Sequence, residues 1–335
     1  MKFKLTIEAT PSENVIHYQD KIMLMGSCFT ENMGAKLQRH LFDVKENPHG
    51  ILFNPISVIN GLQDYIENKQ YFAADLFELN ELYNSWHHHT RFSDISPEAT
   101  LEKINTSIHE AHAYLKIADK LIITIGSAWL YHLTNDAPSH TGLVVANNHK
   151  APANWFEKKL MDPLELSLQL QQIVTAIQTF NRKIKIIFTI SPVRHLREGL
   201  IENNRSKSIL IYAVHDVIDK LKGVDYFPAY EYVIDDLRDY RFYAEDLVHP
   251  NYAATNYVWE KFVVTYFSEE TQLIMREVAE LQLAKQHKPF NKTTQAHQAF
   301  IHKSLSKTQA LQSKYAYLPL TDLISFFSGE LINNV

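Results

Sequence analysis

The 335-residue sequence has one cysteine, no long apolar run and no block of positive charge. The single cysteine, Cys28, excludes an internal disulfide and a zinc site built from cysteines. No apolar stretch is long enough to cross a bilayer, and the start MKFKLTIEAT lacks the apolar core of a signal peptide. We therefore expect a soluble, cytoplasmic protein with no membrane partner. The formal net charge of −5, without clustered Lys or Arg, argues against nucleic acid as a partner.

Aromatic and imidazole side chains are numerous instead, with 17 Tyr, 18 Phe, 4 Trp and 17 His. Most of these rings belong in a core, and the others are suited to floor a cleft for a polar, sugar-like or aromatic substrate. The length allows one large α/β domain with an appendage as readily as two domains.

Short β-rich apolar runs alternate with longer segments of helical period along most of the chain. This alternation predicts an α/β fold in which helices cover both faces of a parallel sheet. Strands are predicted at 21–25, 121–125, 184–190 and 224–227. Helices are predicted at about 30–41, 98–119, 163–181 and 204–222, with another after Pro250.

The alternation stops after about residue 269. The tail predicts two amphipathic helices joined through KPFNKTT, and it holds no obvious chemistry. We therefore expect a main domain at 1–268 and a C-terminal helical extension at 269–335. These helices are predicted to pack on the domain or to mediate self-association, so a homo-oligomer is one expected assembly.

Ser27 lies where the first predicted strand runs into Gly-Ser and a helix begins. A serine there projects from the carboxyl edge of the sheet, where such folds bind ligands, and the helix N-terminus favours a developing oxyanion. Alone, this pattern is more often a turn with a helix N-cap. The G-x-S-x-G motif of α/β-hydrolases is absent, since Met25 and Phe29 stand where its glycines belong. Cys28 should point away and pack as a small buried residue.

Asp246 and His249 occur together in the stretch DLVHP, near the end of the alternating region. A carboxylate three residues before a histidine can orient the imidazole, which then takes the serine proton and returns it to the leaving group. Alone, such a pair is usually a surface feature. A serine after the first strand and an Asp–His pair after the last is the chain order of SGNH hydrolases.

More specific stretches support this order. The chain resembles the GSCFA family, a branch of the SGNH/GDSL-like hydrolases named for a motif that reads GSCFT at 26–30 here. Other stretches similar to the family occur at 47–55, 89–93, 147–150, 191–200 and 237–250. The resemblance implies a three-layer α/β/α sandwich of the SGNH, flavodoxin-like kind. It also implies Ser27 as nucleophile and Asp246 with His249 as its base, with no cofactor.

The oxyanion site departs from the SGNH pattern. The expected donors are the backbone N–H groups of Ser27 and Gly50, with an asparagine from a Gly-x-Asn motif. The third block reads GSAW, so Ala128 stands where that asparagine belongs. Asn147 is predicted to replace it, with His149 as the other choice. An equally good reading of Asn147 is a turn-forming residue in a polar loop.

Five residues in family-like stretches or beside them are predicted to bind substrate: Trp86, His89, His149, Arg194 and His195. Arg194 is suited to a substrate carboxylate or phosphate, although an ion pair with Asp246 or Glu198 is nearly as good a reading. His87, His89 and Asp246 also allow a metal-dependent hydrolase, but the spacing fits no helical zinc motif, so we predict no metal.

The sequence therefore predicts an esterase or deacylase that acts on an O-acyl ester, such as an acylated carbohydrate or another small molecule. An O-acyltransferase with the same triad is the alternative within this chemistry. A non-catalytic carbohydrate-binding protein on the same fold is the alternative outside it, and the missing asparagine favours that reading.

Overall fold

Nine strands form one parallel sheet and two hairpins in the computed structural model, which describes residues 5–331. The strands are β1 (Lys21–Gly26), β2 (Asp43–Glu46), β3 (Phe77–Leu79), β4 (Leu82–Asn84), β5 (Lys120–Ile125), β6 (Trp129–Leu133), β7 (Phe156–Leu160), β8 (Lys185–Ile190) and β9 (Val224–Phe227). The sheet has the order β2–β1–β5–β8–β9, and all its strands are parallel. β3–β4 and β6–β7 are antiparallel hairpins outside it.

Helices cover both faces of this sheet, as predicted. They are α1 (Cys28–Arg39), α2 (Pro55–Glu67), α3 (Pro97–Leu115), α4 (Pro163–Phe180), α5 (Leu200–Lys220), α6 (Ala229–Glu231), α7 (Tyr252–Tyr266), α8 (Glu269–Gln286), α9 (Gln295–Lys314) and α10 (Thr321–Glu330). A π-helical turn, Tyr232–Leu237, continues α6. The three-layer α/β/α sandwich is therefore confirmed.

The two faces of the sheet bury separate hydrophobic cores. Successive side chains of a strand point to opposite faces, so Met23 and Met25 join one core while Ile22 and Leu24 join the other. The first core is closed by α2, α3, α4 and α5, and the second by α1, α7 and the C-terminal helices. Because β1 is apolar on both faces, it runs through the middle of the protein and ends directly at Ser27.

Two elements close to Ser27 were not predicted. β2 is a short polar strand with the sequence DVKE at the edge of the sheet, so it carries no apolar run to identify it. α2 begins after Asn54, whose Oδ1 accepts a hydrogen bond from the Ser57 N–H at 2.8 Å, with Pro55 as the first helical residue.

The tail forms three helices rather than the predicted two. α9 ends at Lys314, and a separate ten-residue helix, α10, follows. All three helices contribute to the second core, through Ile274 of α8, Ile301 of α9 and Phe327 of α10. The predicted domain boundary at 268/269 stays a prediction. None of the helices in the described part of the chain is both long and apolar enough to cross a membrane.

The strand order places a crevice at the carboxyl ends of β1 and β5. The connection after β1 leads to β2 on one side, and the chain later returns to β5 on the other side. Loops that leave neighbouring strands in opposite directions open a ligand crevice at this topological switch point. Ser27 follows β1 and Gly126 follows β5, so both lie at that crevice.

Candidate active site

Ser27 occupies the N-cap position of α1, but its hydroxyl does not cap the helix. The residue is fully buried, and its Oγ has no hydrogen-bond partner among residues 5–331. Gly26 enters this turn with a φ of 139°, and a Cβ there would lie 2.0 Å from the Thr124 carbonyl oxygen. Only glycine therefore fits before Ser27, and the turn holds a buried, unpaired hydroxyl at the end of β1.

Asp246 and His249 form a hydrogen-bonded unit within one tight loop. Asp246 Oδ2 lies 2.7 Å from His249 Nδ1, while Oδ1 accepts the N–H groups of Val248 at 2.9 Å and His249 at 3.0 Å. These bonds, with that from the His249 backbone the largest effect, lower the pKa of Asp246 to about 2. The carboxylate therefore stays ionised and orients the imidazole, although about half of each side chain is exposed.

Arg194 ties this loop to the end of β8. Its N–H donates to the Val248 carbonyl and its Nη1 to the Leu247 carbonyl, both at 3.2 Å. The guanidinium also lies 4.0 Å from the centre of the Tyr243 ring. Arg194 makes no ion pair with any described residue, so neither of the two pairings considered from the sequence is present.

A cleft of about 450 Å³ opens at the carboxyl ends of β1, β5 and β8. The cleft is lined by Asn147, Arg194, His195 and His249, which were among the predicted site residues, and by Cys28, the residue after Ser27. The cleft also contains residues that were not predicted, among them Phe53, Asn54, Trp129, Tyr131 and Asn148.

Asn147 makes the turn-forming bond that one reading of its sequence position predicted, and its role as an oxyanion donor stays a prediction. Its Oδ1 accepts the His149 N–H at 2.8 Å, which is a turn-forming bond, and its side chain also lines the cleft. Asn54 lines the cleft with an amide that donates to the Val145 carbonyl at 3.2 Å.

His195 lies against Gly126 at the inner end of the cleft. Its Nε2 is buried and has no hydrogen-bond partner in the described chain. Burial, with smaller contributions from the charges of Lys207 and His249, lowers the pKa of His195 to about 3. The imidazole is therefore neutral at physiological pH.

Lys207 on α5 is a fully buried lysine that no sequence pattern indicated. Its Nζ donates to the carbonyl oxygens of Gly126 at 2.6 Å and Ser191 at 2.7 Å, which joins the ends of β5 and β8. Burial lowers the pKa of Lys207 to about 7. On an amphipathic helix a single lysine indicates a solvated face, so no local pattern could have placed this one beneath the cleft.

Packing accounts for Ala128, whereas the expectation that Cys28 packs as a buried residue is wrong, because Cys28 is only partly buried and lines the cleft. Ala128 is fully buried, and its N–H donates to Ser206 Oγ at 2.7 Å, so no side chain reaches the cleft from this position. Burial raises the pKa of the Cys28 thiol, which keeps it protonated and disfavours it as a nucleophile.

Six of the predicted site residues are not part of the cleft lining, namely Ser27, Asp246, Gly50, Trp86, His89 and His149. Trp86 is 1% exposed and stacks on Phe77, with ring centres 3.6 Å apart, and His149 is buried beside it with Nε2 2.9 Å from the Ser85 carbonyl. The N–H of Gly50 donates to the Asn47 carbonyl at 2.7 Å, so it is already used.

His89 packs against Gly50, because a Cβ on Gly50 would lie 2.2 Å from the His89 Cβ. Gly50 has a φ of 82°, and only a glycine allows both this conformation and this close contact. Substrate binding by Trp86, His89 and His149, and oxyanion donation by Gly50, stay predictions.

No group of three His, Cys, Asp or Glu side chains between residues 5 and 331 is arranged to hold a metal ion. The trio His87, His89 and Asp246 is therefore not brought together. His87 is largely buried, and its pKa is lowered to about 4 by burial, then by the charge of Lys69.

Comparison with known proteins identifies two regions of the chain. Residues 21–262 match the model of the GSCFA family, and residues 278–333 match that of the GSCFA domain protein, C-terminal domain. No curated protein matches the chain.

One solved structure that matches is an acetyl xylan esterase (Est2A) from the rumen bacterium Butyrivibrio proteoclasticus. The match has 10% sequence identity and a TM-score of 0.38, and it covers 75% of this chain and 64% of the esterase. The chain thus spans less than two thirds of that protein.

Proposed function

This chain belongs to the GSCFA family, and we propose that it is a serine-dependent hydrolase that cleaves O-acyl esters, such as acylated carbohydrates. One observation carries the proposal. A buried serine hydroxyl without a hydrogen bond stands at the carboxyl end of β1, directly before Cys28 of the cleft lining, and His249, held by the ionised Asp246 carboxylate, lines the same cleft. Each feature alone has a structural explanation, whereas their convergence is what nucleophilic catalysis requires.

The proposed reaction proceeds through an acyl-enzyme. His249 removes the proton from Ser27 Oγ, which attacks the ester carbonyl carbon to form a tetrahedral oxyanion. The intermediate collapses as His249 gives the proton to the departing alcohol. Water, activated in turn by His249, then releases the carboxylic acid and restores Ser27.

The Asp246 carboxylate supports both proton transfers. It binds His249 Nδ1, so Nε2 is the ring nitrogen left to exchange protons with Ser27 and the leaving group. Ser27 Oγ and His249 are not hydrogen-bonded to each other in the described chain. Catalytic contacts in ligand-free enzymes often tighten only when substrate binds. Because the Asp246–His249 loop is half exposed, substrate filling the cleft would cover it.

Backbone donors for the oxyanion come from the start of α1. The Ser27 N–H already donates to the Thr124 carbonyl at 3.2 Å, a long bond that an oxyanion could share. Cys28 is the first residue of α1 and lines the cleft. The first N–H groups of a helix have no acceptor within the helix, and the helix dipole favours negative charge there.

The rest of the cleft supports a carbohydrate ester. Trp129 and Tyr131 supply aromatic surface, and Asn54, Asn147 and Asn148 supply amides. Flat aromatic faces with hydrogen-bonding amides suit a ring that presents C–H groups on its faces and hydroxyls at its edge.

Fluorophosphonate labelling tests the nucleophile directly. We expect the wild type to be labelled in the presence of EDTA, Cys28→Ala to be labelled as well, and Ser27→Ala not at all. Absence of wild-type labelling, or labelling that follows Cys28 rather than Ser27, would refute the serine mechanism. An unlabelled wild type that binds sugars would favour the non-catalytic reading raised by Ala128.

A second measurement separates hydrolysis from transfer. The wild-type enzyme, once shown to react with the fluorophosphonate, is incubated with acetylated xylo-oligosaccharides, with and without a free sugar acceptor. Release of acetate that is independent of the acceptor supports the hydrolase, whereas acylated acceptor would identify an O-acyltransferase.

A further inference from the structure

We propose that His195 supplies the missing side-chain donor of the oxyanion site, with its Nε2–H in the role that Ala128 leaves unfilled. The inference rests on the proposed acyl-enzyme reaction and assigns a further catalytic residue to it. It starts from two buried polar atoms without partners, His195 Nε2 and Ser27 Oγ.

Gly126 lies next to both residues. A Cβ on Gly126 would lie 3.0 Å from His195 Nε2 and 3.6 Å from Ser27 Cβ. The imidazole and the serine therefore flank the same glycine, and a side chain at this position would press against both. An ester carbonyl attacked by Ser27 Oγ has its oxygen within a few ångströms of the nucleophile, so a donor at this position meets the charge that develops there.

Contacts hold both the backbone and the ring of His195. The backbone N–H of His195 donates to Oδ1 of the buried Asn203 at 2.9 Å, which fixes the loop, and the Phe53 ring meets the imidazole edge to face at 5.6 Å. The Phe53 carbonyl also accepts the Gly126 N–H at 2.9 Å, which ties both sides of the pocket together. A donor fixed before the reaction stabilises an oxyanion without the cost of reorientation.

The electrostatics suit a donor and not a second base. Lys207 lies beneath the same glycine, and His249 becomes a cation during the reaction. A third positive charge here would be repelled by both, so His195 stays neutral while His249 takes the proton. A neutral imidazole with its proton on Nε2 donates one hydrogen bond towards Ser27.

Asn147 is the competing donor, and the geometry favours His195. Asn147 lines the cleft, and its Oδ1 accepts the His149 N–H at 2.8 Å, which leaves Nδ2 as its donor, but no hydrogen bond joins it to Ser27 or Gly126 in the described chain. His195 is in direct reach of the glycine that borders the nucleophile.

Three substitutions separate a donor from a base. The amide nitrogen of Gln can occupy the position of imidazole Nε2, that of Asn the position of Nδ1, and Phe offers no donor. We therefore compare His195→Gln, His195→Asn and His195→Phe with wild type and with His109→Gln, an exposed histidine on α3. Thermal unfolding of each variant verifies that it folds.

Hydrolysis of 4-nitrophenyl acetate and inhibition by an alkyl boronic acid are the readouts. The boronate forms a tetrahedral adduct with Ser27 that mimics the intermediate. We expect His195→Asn and His195→Phe to lower kcat/KM by about 10²–10³-fold, mainly through kcat, and to weaken boronate binding in proportion. The kcat/KM of His195→Gln should stay within about tenfold of the wild-type value because this variant keeps a donor at the right position.

The outcomes are distinguishable. Equal, near-complete loss in all three variants, with a changed pH–rate profile, would make His195 a base and overturn the inference. Unchanged activity in His195→Phe would overturn it too, while labelling of Ser27 left the proposed function intact. A wild type that is neither labelled nor active would refute the proposed function, and this inference with it.

Discussion

Two histidines reach the same cleft in opposite electrostatic settings. His195 follows β8, its Nε2 is buried without an acceptor, and burial with the nearby charges lowers its pKa to about 3. His249 lies on the loop before α7 with its side chain half exposed, and its Nδ1 is 2.7 Å from an ionised carboxylate. Among residues 5–331, no carboxylate forms a hydrogen bond or an ion pair with His195.

These two environments determine which histidine can carry a proton during the reaction. A carboxylate on one ring nitrogen stabilises an imidazolium, so His249 is suited to accept the serine proton. Burial next to Lys207 destabilises an imidazolium, so His195 is suited only to hydrogen bonding. Groups of one chemical type are thus assigned different roles by their surroundings.

The largest loss of activity should follow from removing the Asp246 carboxylate, which contacts His249 and has no counterpart at His195. We expect Asp246→Asn to lower kcat by on the order of 10⁴-fold, because the amide can hold the loop but cannot stabilise an imidazolium. Steady-state kinetics on 4-nitrophenyl acetate measure this.

Asp239→Asn is the matched control. Asp239 also accepts a nearby backbone N–H, that of Arg241 at 2.8 Å, and is likewise partly exposed, but it holds no histidine. Equal losses of kcat in the two variants would indicate a general effect on the loop and would contradict a specific role of Asp246 at His249.

A smaller effect is expected where a methyl group is placed between His195 and Ser27. The Cβ of Gly126→Ala would lie 3.0 Å from His195 Nε2 and 3.1 Å from the Phe53 carbonyl oxygen. We expect kcat/KM to fall by roughly 10²-fold, with stability reduced by about 1–3 kcal/mol.

Gly329→Ala serves as the control because its Cβ would meet nothing within 4 Å. Kinetics and urea unfolding of both variants test the point. Full activity in Gly126→Ala would show that the space beside this glycine is not used by the substrate.

The smallest effect is expected on the free energy of unfolding, through its dependence on pH at His195. The folded-state pKa of His195 is about 3, and that of a free histidine is 6.5. Between these values the unfolded chain binds the proton and the folded chain does not, so this residue destabilises the fold as pH falls below about 6.5. His195→Gln removes this effect.

Urea unfolding at pH 7 and pH 4 should therefore show a smaller acid loss in His195→Gln than in the wild type. The expected difference is at most about 3 kcal/mol. His109→Gln provides the exposed control. Parallel losses in wild type and His195→Gln would mean that His195 takes up its proton in the folded state, contrary to the neutral role assigned to it.

Local sequence patterns predicted most of the long, periodic elements, although the 13-residue helix α2 was missed. β1, β5 and β8 are apolar runs buried on both faces, and all three occur within one residue of their predicted limits. The polar edge strand β2 and the short helix α10 lack such a pattern, so they were missed.

Site residues were predictable where a motif sits at the end of an element. Ser27 after β1 and the Asp246–His249 loop lie at the sheet edge where the chain order suggested. Trp86 and His149 were chosen from family-like stretches, but they fill a small core with Phe77. Lys207 was overlooked because only the packing of α5 against two strand ends turns its side chain inward.

The sequence by itself determined the fold class, the turn that places Ser27 and the pairing of Asp246 with His249. Each depends on residues close together in the chain, namely apolar periodicity, a glycine before the serine and a three-residue spacing. The tertiary structure alone decided which of 17 histidines reach the cleft and which of them stays neutral. That decision depends on burial and on distances between residues far apart in sequence, such as His195, Gly126 and Ser27.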